Sequence, residues 1–326
     1  MKFKLSIAVA VAALSIVPAA HVQGAGNYPE RPITLIVPLS PGGAADITGR
    51  LVADKLQNRL GQTVVVENRP GAGTTIGVDA LAKAEPDGYT IGMINIASHA
   101  IAPGLYGDRL PYDPVADFAP ISMAMTSPNI LVVNPQRVEA RTVAEFVDYA
   151  KAHPDELTYG SSGVGTSLHV GVELLAQSTG FTATHIPYGG SSDMMNDLIG
   201  GQIDFALDGA ATSWPQVEAG NLVALAVATP ERVPFAPDLP TLGETYEDLQ
   251  ILAWHGFAAP AGTPEEIVEL LSTAVQEILA DPEVRQSLEN QKLVVVGNSR
   301  AEFIEFIAED VARWTPVVVA SGASAN

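Results

Sequence analysis

The chain has 326 residues, with 17 Lys+Arg against 37 Asp+Glu and a formal net charge of −20. So acidic a balance argues against sequence-independent binding to nucleic acid or anionic lipid, which needs a basic footprint. There is no cysteine, which excludes disulfides, thiolate catalysis, iron–sulfur clusters and a lipid-modified N-terminal Cys, and 47% hydrophobic against 17% charged residues marks a folded chain.

Residues 1–25 read as an export signal. Lys2 and Lys4 give a positive start, residues 5–17 are apolar apart from Ser6 and Ser15, and small residues follow at Ala19, Ala20, Gly24 and Ala25. That apolar run is shorter than the roughly 20 residues that span a bilayer. Cleavage after Ala19, Gly24 or Ala25 removes two Lys and no acid, leaving a still more acidic protein that is expected in the periplasm.

A proline-punctuated lead-in, Tyr28-Pro29-Glu30-Arg31-Pro32, comes next. The apolar pattern then predicts strands at 33–38, 63–67 and 89–94, alternating with helices at 44–60 and 74–84. The alternation repeats with strands at 121–125, 130–133, 157–159, 183–186, 203–207 and 222–228 and helices at 142–152, 166–179 and 191–199. Thr142 with Glu145 three residues on has the form of a capping box. The end turns helical at 264–279, 282–291 and 300–314, with Pro264 in a first turn, and the tail 321–326 is expected to fray. Alternating strands and helices predict parallel, doubly wound sheets, and near-continuous apolar strands predict burial on both faces. Two α/β units and a helical C-terminal stretch result, with 125–133 and 251–260 as candidate crossings. A cleft between two lobes is the default ligand site.

Three glycine-rich loops, at 38–46, 67–74 and 160–167, each follow a strand and open a helix. The first N–H groups of a helix lack intrahelical partners and carry the positive end of its dipole. Glycine admits close approach, and Ser or Thr adds hydroxyls, so such a loop binds an anion without Lys or Arg. The alternative for each is an ordinary tight turn.

Enzymatic motifs are weak. Gly71-Ala72-Gly73-Thr74-Thr75-Ile76-Gly77 is one residue off the dinucleotide fingerprint and follows the second strand. Neither G-x-x-x-x-G-K-[ST] nor G-x-S-x-G occurs. After the signal, His99, His153, His169, His185 and His255 form no H-E-x-x-H and no clustered pair, so no metal, cofactor or catalytic residue is assigned. Asp46 either meets a ligand amine, organises loop waters or complements its helix dipole. Asp204 and Asp208 flank Phe205-Ala206-Leu207, with Asp208 expected at the cleft edge or as a cap. Ser98-His99 follow a strand and are expected to face the cleft, or to cap. Tyr188-Gly189-Gly190-Ser191 offers backbone donors where a helix opens. Tyr159 and Trp254 read as packing residues.

Several motifs, in order, carry a family resemblance. They are Tyr28-Pro29-Glu30-Arg31-Pro32-Ile33; Pro38-x-x-Pro41-Gly42-Gly43-x-x-Asp46; Val66-Glu67-Asn68-Arg69-Pro70-Gly71-Ala72-Gly73; and Pro86-Asp87-Gly88-Tyr89-Thr90. Tyr159-Gly160-Ser161-Ser162-Gly163-x-Gly165-Thr166-x-x-His169, Pro187-Tyr188-x-Gly190 and Ala259-Pro260-Ala261-Gly262-Thr263-Pro264 complete the set. The chain, over essentially its whole length after the signal, resembles the Bug family, the extracytoplasmic solute receptors of tripartite tricarboxylate transporters. The resemblance implies an α/β type II periplasmic-binding-protein fold, with two lobes around a hinged cleft. Lobe 1 is then 26–126 plus 256–326, and lobe 2 is 127–255. It implies a small carboxylate ligand, integral-membrane permease subunits as partners, and a monomer. Carried over residue by residue, Ser40, Gly42, Gly43 and Asp46 and Ser161, Ser162, Gly165 and Thr166 hold carboxylate groups. Ser98, His99, His169, Tyr188, Gly189 and Asp208 complete the expected ligand-binding set. Gly189 departs from the basic or polar residue of many relatives, which removes a long side-chain contact and leaves ligand size open. Two other readings remain: an exported two-domain enzyme using Asp46, Asp208 and His99 as acid and base, or a ligand-sensing input to a membrane kinase.

Overall fold

The computed structural model describes residues 27–247 and 249–320. The expected export signal and the tail 321–326, expected to fray, lie outside the described residues.

Two sheets organise the chain. The first takes strands β1 (Ile33–Val37), β2 (Val64–Asn68), β3 (Thr90–Asn95), β4 (Phe118–Ser127), β10 (Ala253–Pro260) and β11 (Val294–Val295), in the order β11-β4-β10-β3-β1-β2. The second takes β5 (Asn129–Val133), β6 (Thr158–Ser161), β7 (Thr184–Pro187), β8 (Phe205–Gly209) and β9 (Val223–Val227), in the order β7-β6-β8-β5-β9. Helices α1 (Ala44–Leu60), α2 (Thr75–Ala82), α3 (Ala102–Tyr106), α8 (Glu265–Ala280), α9 (Pro282–Asn290) and α10 (Arg300–Ala320) belong with the first sheet. Helices α4 (Val143–Ala152), α5 (Ser167–Thr179), α6 (Ser191–Ile199) and α7 (Ala210–Glu218) belong with the second.

The sheets are mixed, not wholly parallel as the alternation predicts. β1 runs parallel to β2 and β3, and β6 parallel to β7 and β8. β10 is antiparallel to β3 and β4, and β5 is antiparallel to β8 and β9. The reason lies in the connections. β4 passes into β5 through Pro128 alone, and β10 receives the chain returning from β9, so neither strand enters its sheet through a helix crossover. The stretch 251–260, read as a candidate crossing, leads from the second sheet into strand β10 of the first, which is buried along its whole length.

Apolar runs become strands covered on both faces. On one side of the first sheet, Leu35, Val37, Val52, Leu56, Phe257, Leu271 and Val275 pack together. A second core joins Trp254 of β10 in the first sheet and Phe303 of α10 to Phe146, Tyr159 and Phe205 beside the second sheet. Tyr159 and Trp254 are packing residues, as expected. The Trp254 indole N–H donates to Asp310 at 2.7 Å, and the Tyr159 hydroxyl donates to Glu173. The C-terminal helix runs six residues past the expected end at 314, through Pro316. Val318, past that proline, is buried, and a Cβ at Gly104 would stand 2.7 Å from its Cβ.

α10 docks by close approach to Gly256 of β10. A Cβ there would stand 2.2 Å from Phe303 Cζ and 2.9 Å from the Ser122 carbonyl oxygen. Gly256→Ala is expected to destabilise the protein by about 1–3 kcal/mol through overpacking. The urea unfolding midpoint checks this.

Candidate functional site

β6, β7 and β8 are parallel and adjacent or near-adjacent, so the helices that follow them, α5, α6 and α7, all start at one edge of the second sheet. α1 starts at the matching edge of the first sheet, after β1. A cavity of about 390 Å³ lies between these edges, lined by residues of the first turn of all four helices. In α1 these are Ala44 and Ala45; in α5, Ser167 and Leu168; in α6, Ser191 and Ser192; in α7, Ala211 and Thr212. Three of the helices, α1, α6 and α7, begin at a glycine (Gly43, Gly190, Gly209) with no side-chain cap. The first N–H groups of α1 and α6 are therefore not consumed by a side-chain cap and remain open to a guest, whereas Ala210 N–H of α7 donates to the Pro128 carbonyl at 2.8 Å. Of the four, α5 alone is capped, by Thr166, whose hydroxyl accepts from His169 N–H. Among the described residues, no Lys or Arg lines the cavity, and Asp193 at its rim is the one carboxylate there.

The lobes are closed over this space. Ser40 Oγ of the first lobe donates to the Gly189 carbonyl of the second at 2.8 Å. Gly73 approaches Val164 so closely that a Cβ would stand 2.4 Å from the Val164 oxygen, and Gly73 has φ +60°. Leu105 lies against Gly165.

Of the residues predicted for the site, Ser40, Gly43, Ser162 and Thr166 line the cavity. The structure places the others elsewhere. Gly42 N–H donates to Asp46, whose carboxylate also receives Arg50 Nε and Asn68 Nδ2 at 3.0 and 2.9 Å. Asp46 is thus buried behind the first loop and fastens it. Burial alone would raise its pKa, but Arg50, the Gly42 N–H and Asn68 together hold it below the usual carboxylate range. Ser98 and His99 are wholly buried in the lobe 1 core, correcting the expectation that they face the cleft. They belong to an irregular helical turn after β3 in which Asn95 and Ser98 bond each other. Burial pushes the His99 pKa down to about 3.

Ser161 lies beneath the loop, with Oγ 2.7 Å from His185 Nε2 and 3.0 Å from the Gly163 carbonyl. This resembles a nucleophile–base pair, but the residue is fully buried, so the hydroxyl fastens the turn. Gly165 N–H donates to His169 Nδ1 at 3.2 Å, which makes that nitrogen an acceptor. His169 and His185 stack at 4.1 Å between ring centroids. Burial first, then the neighbouring His169, depresses His185 to about 4. Those two histidines, with Tyr188 and Gly189, line a second cavity of about 560 Å³, which shares Leu39, Thr74 and Ser162 with the first. Asp208 is fully buried at the start of α7, where Thr212 donates to it; burial pushes its pKa up to about 6. An acid–base set of Asp46, Asp208 and His99 is therefore not assembled at one site.

Sequence reasoning missed Thr74, Asn95, Ser127, Asn129, Thr212 and His255, all of which line the cavity. Gly190-Ser191 carries a detectable signal, a glycine pair opening a helix. Asn129 and His255 carry none, since each is a lone polar residue in an apolar strand.

Two lobes closed over a cavity ringed by helix starts define a solute-binding receptor. The family model described as "Tripartite tricarboxylate transporter family receptor" matches residues 48–323. The protein BugT of Bordetella pertussis is 35% identical over 301 residues, covering 92% of this chain and 92% of its own. Among solved structures, the periplasmic binding protein BugD has a TM-score of 0.85 at 33% identity, covering 91% of this chain and 100% of its own. MatC from Rhodopseudomonas palustris with bound malate has a TM-score of 0.84 at 31% identity, covering 89% and 100%. An R. palustris protein with adipate has a TM-score of 0.86 at 34% identity, covering 92% and 100%. The chain belongs to the tripartite tricarboxylate transporter receptor family.

Because Asp46 titrates below its unfolded value, its contribution is complete above about pH 3.9 and is lost as pH falls through the folded pKa. Asp46→Asn is expected to cost about 1–3 kcal/mol at pH 7. Its deficit relative to wild type should shrink as pH falls below about 3.9 and through the lower folded pKa, where the wild-type group loses its charge. Denaturant melts at pH 7 and pH 3 check both.

Proposed function

We propose that this protein captures a small organic carboxylate in the inter-lobe cavity, in the periplasm, and delivers it to membrane-embedded permease subunits of a tripartite tricarboxylate transporter. The observation that carries the reading is the convergence of four helix starts, three of them begun at glycine without a side-chain cap, on a cavity lined without Lys or Arg. Oriented N–H groups at helix N-termini bind carboxylates, and the partial positive charge there substitutes for a cation. Malate and adipate in relatives of the same fold agree with that ligand class. The overall acidity does not oppose it, because distant charges are screened beyond about 8 Å at physiological salt. No described helix is long and apolar enough to cross a membrane.

The mechanism is closure. Ligand bridges two lobes that otherwise open, and its contacts to both shift the population to the closed form. Gly43 and Ser162 would supply donors, one from each lobe, while the Ser40 and Thr166 hydroxyls, which donate to the Gly189 and Gly163 carbonyls, would shape the walls. Ser161, Asp46 and His169 would hold the loops in shape. The closed form is then the one that docks on the permease.

A panel of mono-, di- and tricarboxylic acids at millimolar concentration should contain one that raises the melting temperature and lowers the radius of gyration in solution scattering. At a hundredfold excess over Kd the stabilisation is about 2.7 kcal/mol. A panel without any shift would end the reading. Gly73→Ala should leave the fold intact but hinder closure against Val164, lowering affinity for the best acid roughly tenfold or more, as titration calorimetry would show.

A further inference from the structure

Asp208 is fully buried, and one of its carboxylate oxygens, Oδ1, has no hydrogen-bond partner. The Thr212 hydroxyl donates to the other, Oδ2. Among the described residues, the groups that favour its charged form are the side chains of Ser191 and Thr212 and the Gly209 N–H, with no Lys, Arg or His among them. A buried anion without a cation is costly, and protonation relieves it. Thr212, Ser191 and Gly209 also line the inter-lobe cavity. A threonine hydroxyl carries one proton. While Asp208 is ionised, that proton is committed to Oδ2 or to the Gly209 carbonyl at 3.0 Å, and Thr212 can only accept from a guest. A carboxylate has nothing to donate. The two would meet acceptor against acceptor, with two negative charges about 4–5 Å apart across one hydroxyl. A proton on Asp208 reverses the chain: its O–H donates to Thr212 Oγ1, and the Thr212 O–H turns to the guest.

We propose that the receptor captures its carboxylate together with one proton, which is held on Asp208 and frees the Thr212 hydroxyl to donate to the guest. This rests on the carboxylate reading above and adds a linked binding event to the same site. The proton comes from solvent, and Asp208, acting through Thr212, is a positioning residue. The other titratable groups on the elements packed against β8 are engaged elsewhere or lie at the rim. β5 carries none. Tyr159 of β6 donates to Glu173 of α5, and His169 of α5 accepts from the Gly165 N–H. Asp197 of α6 accepts from Tyr188, and Glu218 of α7 from the Trp214 indole. Asp193 of α6 stands at the cavity rim and adds to the negative charge a guest meets. Burial brings the Asp208 pKa up to about 6, against the lowering by Ser191, Thr212 and Gly209. A guest anion beside it raises it further, through the neutral range. A bound-state pKa above the free one means proton uptake on binding. Affinity then falls as pH rises between the two, by at most about tenfold per pH unit.

The test is titration calorimetry of the mature protein with acetate, benzoate, malate, succinate and adipate, whose own carboxyls stay ionised from about pH 6.5 to 8.5. Each is titrated in PIPES and in Tris, buffers of low and high ionisation enthalpy, so that the difference in heat counts protons. Every acid that binds should take up about half a proton or more at pH 7, and its affinity should fall as pH rises across that range. Asp208→Asn, first checked for folding by circular dichroism, should take up none and bind with an affinity that no longer changes with pH. Should that variant not fold, the infrared difference spectrum of the wild type on binding a carbon-13-labelled acid must show a carboxylic-acid C=O band at the unlabelled frequency. Binding without proton uptake by the wild type overturns the proposal, as does uptake unchanged in folded Asp208→Asn or the absence of that band. Each of those outcomes leaves the receptor reading standing, whereas binding of none of the acids removes the receptor reading and the proposal with it.

Discussion

The structure depends on peptide dipoles brought to one point. A single helix start is a weak attraction, worth roughly 0.3–1 kcal/mol to an exposed anion. Four starts facing one enclosed space act together and in a lower dielectric, where each is worth more. Parallel strands are what make the arrangement possible. In such units each helix begins at the carboxyl end of its strand, so β6, β7 and β8 deliver α5, α6 and α7 to one sheet edge. The antiparallel strands β5 and β10 serve differently, carrying the chain between lobes and forming the floor.

This arrangement explains how so acidic a chain accommodates an anion. The carboxylates nearest the loops are individually disposed of. Asp46 is held by Arg50, Asn68 and the Gly42 N–H, and Asp208 is buried with a Thr212 hydroxyl against it. Asp193 is the one carboxylate in the cavity lining among the described residues, and charges farther away are screened. Glycine has a double part. At Gly43 and Gly190 it leaves helix N–H groups uncapped, and at Gly73 it permits backbone-to-backbone contact between closed lobes.

Local pattern and tertiary outcome part company at identifiable residues. The helices α1 and α6 match their predicted spans of 44–60 and 191–199, because apolar spacing and flanking glycines agree there. α7 escapes prediction, since its first turn, Ala210-Ala211-Thr212-Ser213, has little periodicity and Pro215 interrupts it. Ser98 and His99 follow a strand, which predicts a place at the cleft. The chain instead turns inward there, and the His99 ring packs against Phe118. The motif around Asp46 marks it as a loop residue of consequence, but its direction is not readable, because it depends on Arg50 one helical turn later and on Asn68 from another strand.

The amino-acid sequence by itself determined the α/β class, most strand and helix positions and the glycine-rich loops, because these follow from local periodicity and backbone freedom. Only the tertiary structure decided which loops share a cavity, which polar residues face it and which are buried behind it. Those outcomes depend on strand order and on the two crossings, which bring Asn129 and His255 to the lining of one cavity from positions 126 residues apart in number. No local pattern encodes contacts that exist only once both sheets have formed and closed.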